Sequence, residues 1–175
     1  MSGDLRAPAV TVVEPGTGQE GFLGTIGVAF KLFSDQTEGR LSIVEHPFPV
    51  GALVPPHMHT REDEYSIVTA GEIGFRSGEN EVVLGAGGYI VKPRGELHTM
   101  WNAGRVPARM IEVIQPGGFE RFFWELAEQM ASGTPDPARI ARFAQDYGLV
   151  FEEAPWLPGI IERYGLTPPP SFGPE

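Results

Sequence analysis

The chain has 175 residues, no cysteine and a formal charge of −10 at pH 7. That length suffices for one domain with a buried core. The missing thiols exclude disulfides and thiolate metal ligands, and the acidic balance argues against nucleic acid, whose binding rests on basic residues meeting phosphates. No apolar run is long enough to span a membrane, and the first eight residues lack the apolar stretch of a secretory leader. A cytoplasmic protein with neither membrane nor nucleic-acid partners is expected.

Residues 1–21 are rich in Pro, Gly and Thr and hold one β-prone patch, Val10-Thr11-Val12-Val13, which reads as an arm with one strand. Residues 22–115 form a succession of short β-like runs: Ile26–Phe33, Arg40–Glu45, Tyr65–Ala70, Glu72–Arg76, Glu81–Leu84, Tyr89–Val91, Thr99–Trp101 and Ala108–Ile114. Turn chemistry separates them at Ser77-Gly78-Glu79-Asn80, Gly85-Ala86-Gly87-Gly88, Pro93-Arg94-Gly95 and Asn102-Ala103-Gly104. The 23 Gly and 17 Pro are spread along the chain as many short strands require. This pattern predicts an all-β sandwich or barrel.

The character changes at Pro116-Gly117-Gly118, and residues 116–167 read as a helical tail packed on the barrel. Apolar residues at 119, 122, 123, 126, 127 and 130 follow the spacing of an amphipathic helix. Asp136 is placed to cap a second helix that begins with Pro137 and stops at Gly148, and a third short helix follows Pro158. Pro168-Pro169-Pro170 ends ordered structure, so residues 168–175 are expected to be disordered.

Two runs carry the chemistry. The first is Gly51-(x)5-His57-x-His59-(x)4-Glu64-(x)6-Gly71, and the second is Gly87-(x)5-Pro93-x-Gly95-(x)2-His98-(x)3-Asn102. Side chains alternate along a strand, so His57 and His59 point the same way and form a chelating pair. Glu64 is five residues beyond His59, which requires a bend through Thr60-Arg61-Glu62-Asp63. Glu62 competes for the carboxylate role, but the spacing favours Glu64. His98 comes from another strand and closes the site. Three imidazoles and a carboxylate suit one divalent transition metal (Fe, Mn, Ni, Co, Cu or Zn), and a metal that prefers six ligands keeps room for water, O₂ or a bidentate substrate. Gly71 and Gly87 serve tight turns, Asn102 holds backbone at a strand end, and His46 reads as a surface residue at the end of a strand.

Both runs resemble, position for position, the two sequence motifs of the cupin superfamily. The resemblance covers about residues 40–115. It implies a cupin jelly-roll β-barrel with the C-terminal helical tail attached, a metal held by His57, His59, Glu64 and His98, and a homodimer paired through N-terminal strands such as Val10–Val13. The run Pro116–Phe123 is similar to the segment after the barrel in bacterial single-cupin flavonol (quercetin) 2,3-dioxygenases, and the three-His, one-Glu set also resembles that of acireductone dioxygenase. The resemblance implies a dioxygenase acting with O₂ on a small enediol or flavonol-like substrate, with Glu64 as the catalytic base. Tyr65, Phe75, Met100 and Trp101 are candidates for the substrate cavity, and Phe122, Phe123 and Met130 read as packing residues. The superfamily also contains isomerases, epimerases and lyases acting on sugars or keto acids, and binding proteins without catalysis, and these stand as alternatives.

Overall fold

A computed structural model describes residues 10–133 and 135–170. The strands in chain order are β1 (Glu20–Phe22), β2 (Gly27–Leu32), β3 (Ser42–Phe48), β4 (His57–His59), β5 (Asp63–Ala70), β6 (Glu72–Ser77), β7 (Asn80–Gly85), β8 (Tyr89–Lys92), β9 (His98–Asn102), β10 (Ala108–Gln115) and β11 (Leu149–Phe151). They form two antiparallel sheets, ordered β1-β2-β3-β10-β5-β8 and β11-β4-β9-β6-β7. This is the jelly-roll barrel, and its inner faces follow directly from two-residue alternation. Ser42, Val44, His46 and Phe48 are buried on β3, and Ala108, Met110, Glu112 and Ile114 are buried on β10. On β5 the buried set is Glu64, Ser66 and Val68.

Helices α1 (Glu120–Ser132), α2 (Pro137–Asp146) and α3 (Leu157–Tyr164) follow the barrel. Asp136 caps α2 as expected, its Oδ1 accepting from the Ala138 N–H at 3.1 Å. Phe119, Phe122 and Leu126 of the first helical stretch pack with Val28, Phe30 and Ile114 of the large sheet. The α3 helix covers the outer face of the small sheet, where Ile160 and Leu166 bury Leu53 and Trp101.

Two features differ from expectation. Val10–Val13 forms no strand in the single chain, and Val10 and Val12 are exposed; the first strand lies at Glu20–Phe22, where pairing with Gly27–Ala29 satisfies its backbone. The tail also contributes more than helices. Leu149–Phe151 pairs with His57–His59 and becomes the edge strand of the small sheet. The Pro168–Pro170 run is described in full and Pro170 lines a cavity, while the rest of the segment expected to be disordered, residues 171–175, lies outside the described residues.

Two glycines are needed for close approach. Gly71, at φ 66°, turns β5 into β6, and a Cβ there would sit 2.8 Å from the Ala108 backbone. Gly74 faces Trp101 directly across β6 and β9, and a Cβ would stand 2.1 Å from the indole ring. Gly74→Ala is therefore expected to destabilise the protein by about 1–3 kcal/mol through overpacking, measured by denaturant unfolding.

Candidate metal centre

The two sheets supply the site from opposite sides. His57 and His98 are directly paired across β4 and β9 of the small sheet, and His59 follows two residues along the same face. Glu64 comes from β5 of the large sheet, on the same inward face as Ser66. The bend expected between His59 and Glu64 is present at Thr60–Glu62, where β4 ends and β5 begins. All four residues are buried, and one ligand atom from each lies within 4.8 Å of all the others.

Hydrogen bonds outside the cluster aim these groups inward. The Nδ1–H of His57 donates to Pro55 O at 2.7 Å, and that of His98 donates to Glu96 O at 3.0 Å. A carbonyl can only accept, so each Nε2 keeps its lone pair for the centre. His59 Nδ1 faces Glu62 Oε2 at 3.6 Å, which gives Glu62 a role behind His59 in place of the ligand role for which it competed in the sequence. Such outer contacts fix the orientation of metal-binding imidazoles. His59 Nε2 and His98 Nε2 each stand 3.2 Å from a Glu64 oxygen. Two donors about 2.1 Å from one ion are separated by roughly 3.0–3.4 Å at tetrahedral to octahedral angles, so this spacing fits a shared ion. His98 Nε2 is buried without an aligned hydrogen-bond partner, an arrangement that ligation would relieve. The donor set fits a divalent transition metal.

Electrostatics follow the same plan. Burial and the neighbouring His98 and His59 rings push His57 well below the usual imidazole range, and burial lowers His98 as well. Burial opposes charge on His59 too, but Glu64 and Glu62 outweigh it and hold the ring up at about 9. Burial would raise Glu64, yet His59 and Lys92 keep its carboxyl well below the usual range.

Lys92 was not singled out in the sequence. It is fully buried and opposes Glu64 directly across β5 and β8. Its Nζ lies 2.9 Å from Glu64 Oε2 and 3.0 Å from Glu112 Oε2, and Ser66 Oγ donates to Glu112 Oε1 at 2.7 Å. Burial pushes Glu112 up to about 7. This chain Ser66–Glu112–Lys92–Glu64 fixes the candidate ligand carboxylate from beneath. Extending the alternation from Glu64 to Ser66, and from Ile114 to Glu112, was the available signal.

A cavity of about 400 Å³ opens over the cluster and is lined by His57, His59 and Glu64. That volume lies within the range of small-molecule pockets. Of the four residues expected to line it, the structure places only Met100 there. Phe75 is fully buried in the packed part of the barrel interior with Phe48, Ile73 and Met110. Trp101 follows Met100 and therefore faces outward, against α3. Tyr65 follows Glu64 and faces outward for the same reason. Phe122, Phe123 and Met130 pack into the core as expected, and together with Phe119 and Leu126 they also form one wall of the cavity. His59 meets Phe119 edge-on at 4.3 Å between ring centres. His46 is buried and lines the same cavity, so it is not the surface residue expected. Among the described residues no lysine or arginine lines the cavity.

Fold and site together define a double-sheet barrel with a buried three-imidazole, one-carboxylate centre able to hold a metal. Residues 45–114 match the family described as "Cupin domain", and the barrel has the cupin jelly-roll fold. A germin-like protein of Arabidopsis thaliana, subfamily T member 2, is 41% identical over 76 residues, which cover 41% of this chain and 34% of the relative. The chain spans about a third of the length of the curated relatives it matches. Among solved structures, an RmlC-like cupin from Shewanella frigidimarina superposes with a TM-score of 0.56 at 19% identity, covering 65% of this chain and 96% of the other. The polyketide cyclase RemF from Streptomyces resistomycificus gives 0.54 at 20% identity, covering 61% and 80%. These two structural likenesses concern the fold. Among the described residues no helix is long and apolar enough to cross a membrane.

Proposed function

We infer that the protein is a mononuclear metal-dependent dioxygenase acting on a small, apolar enediol or flavonol-like compound, with the metal held by His57, His59, Glu64 and His98. The observation that carries this reading is the placement of the candidate metal cluster at an aromatic-walled cavity with no lysine or arginine in its lining. A sugar phosphate, or any ligand with a second anionic group beyond the reach of the metal, would bring that charge against a wall without lysine or arginine, at a desolvation cost of several kcal/mol. A planar aromatic ligand instead buries its faces against Phe119, Phe122 and Phe123 and keeps its oxygen atoms for the centre.

When bound, a divalent transition metal supplies Lewis-acid polarisation of a substrate oxygen and a site for O₂. The chain supplies the remaining parts. Glu64, held ionised by Lys92 and His59, is the base that accepts the enol proton through a carboxylate oxygen at the cluster. Pro55 O and Glu96 O keep the imidazoles fixed while charge develops. The phenylalanine wall excludes water from the activated ligand.

Oxygen-electrode assays on the protein loaded in turn with Fe(II), Mn(II), Ni(II), Co(II), Cu(II) and Zn(II) test this reading. Uptake of about one O₂ per flavonol consumed is the expected result. Tight flavonol binding with no uptake on any of these metals would replace the dioxygenase with a non-oxidative enzyme or a binding protein.

A further inference from the structure

His46 lies outside the metal cluster, and the chemistry above makes no use of it. It belongs to the inward series of β3, is 2% exposed and lines the cavity. Its Nδ1 lies 2.8 Å from Gly27 O. The carbonyl accepts, so Nδ1 carries the proton and Nε2 presents a lone pair. Burial holds the ring's pKa down at about 4, so the imidazole is neutral at pH 7. No protein donor reaches Nε2 among the described residues.

The wall between His46 and the cluster is continuous. His46 meets Phe123 edge-on at 5.2 Å, Phe123 meets Phe119 at 5.0 Å, and Phe119 meets His59 at 4.3 Å. A fixed acceptor thus stands at one end of an aromatic wall and the candidate metal centre at the other. Because His46 lines the cavity, water or a ligand donor can satisfy Nε2 there, and a ligand that displaces the water without offering a donor loses that hydrogen bond.

We propose that His46 is a second anchor for the ligand, its Nε2 accepting a hydrogen bond from a hydroxyl remote from the oxygens that face the metal cluster. This rests on the apolar enediol reading above and narrows it to aromatic ligands with a hydroxyl on a ring away from the chelating pair. A ligand without that hydroxyl leaves the lone pair unsatisfied, the situation in which buried polar groups discriminate most strongly.

Affinities of the zinc-loaded full chain for quercetin, which carries remote hydroxyls, and for 3-hydroxyflavone, which carries only the chelating pair, test the proposal. Wild type should prefer quercetin by about tenfold. His46→Leu should bring the two affinities to within roughly twofold, with metal content unchanged; His46→Gln, which retains an acceptor, should keep part of the preference. In the wild-type protein, the nitrogen-15 resonance of His46 Nε2 should shift with quercetin and stay in place with 3-hydroxyflavone. That readout does not depend on any variant folding. A preference that survives in His46→Leu, or an Nε2 resonance indifferent to both ligands, overturns the role of His46 and leaves the substrate class intact. Binding of neither flavonol overturns the substrate class and this anchor together.

Discussion

Replacing His57 and His98 together by alanine is expected to lower the bound metal from about one ion per chain to a trace by elemental analysis. The two imidazoles oppose each other across β4 and β9, so the double variant removes two of the three donors that the small sheet supplies. What remains is His59 and Glu64, one donor from each sheet. Loss of an outer-shell partner alone typically costs 10–100-fold in affinity, so loss of two ligands should cost on the order of 10³-fold or more. The fold should survive, because these rings donate only to Pro55 O and Glu96 O, and the barrel core lies elsewhere. Undiminished metal in a folded double variant would remove the site assignment.

Lys92→Met is expected to cost about 3–5 kcal/mol of unfolding free energy in metal-free protein at pH 8. The lysine is the cation between Glu64 and Glu112, at 2.9 and 3.0 Å, and both carboxylates are buried. Methionine fills the space and leaves two buried negative charges side by side. The pH dependence has a definite sign. Burial already holds Glu112 up at about 7 in the native chain, and without Lys92 its pKa rises further. A carboxyl with a raised folded-state pKa favours folding where it is protonated and loses that contribution as pH rises. The deficit of Lys92→Met should therefore shrink on going from pH 8 towards pH 5. Adding Glu112→Gln should recover part of the loss at pH 8 by removing the second charge. A Lys92→Met deficit below about 1 kcal/mol, or one that grows on acidification, would contradict the buried charge chain.

Much of this was legible because strand alternation is a strict rule. His57-x-His59 must share a face, the break before Glu64 demanded a bend, and the glycine-rich turns marked the strands. Three things escaped for physical reasons. Leu149–Phe151 is only three residues long and follows a helix, so neither period could show in it; its strand character comes from the β4 edge that it covers. Lys92 precedes Pro93 at a strand end, where a lysine is ordinarily solvated, and its partner Glu112 is twenty residues away, so pairing could be seen only once β5 stood between β8 and β10. His46 precedes Pro47 and reads as an edge residue, although the alternation Ser42, Val44, His46, Phe48 would have placed it inside. The cavity residues failed on register. Tyr65 and Trp101 each adjoin an inward residue and so point away from the cavity, and the wall comes from a helix whose apolar stripe also packs against the large sheet.

The central claim is that these four side chains bind one metal at the base of the aromatic cavity. Anomalous diffraction from metal-loaded crystals, recorded on either side of the metal's absorption edge, tests it most directly. One peak is expected per chain, about 2.0–2.2 Å from the Nε2 atoms of His57, His59 and His98 and from a Glu64 oxygen. A peak elsewhere in the molecule, with these four side chains unligated, would contradict the account.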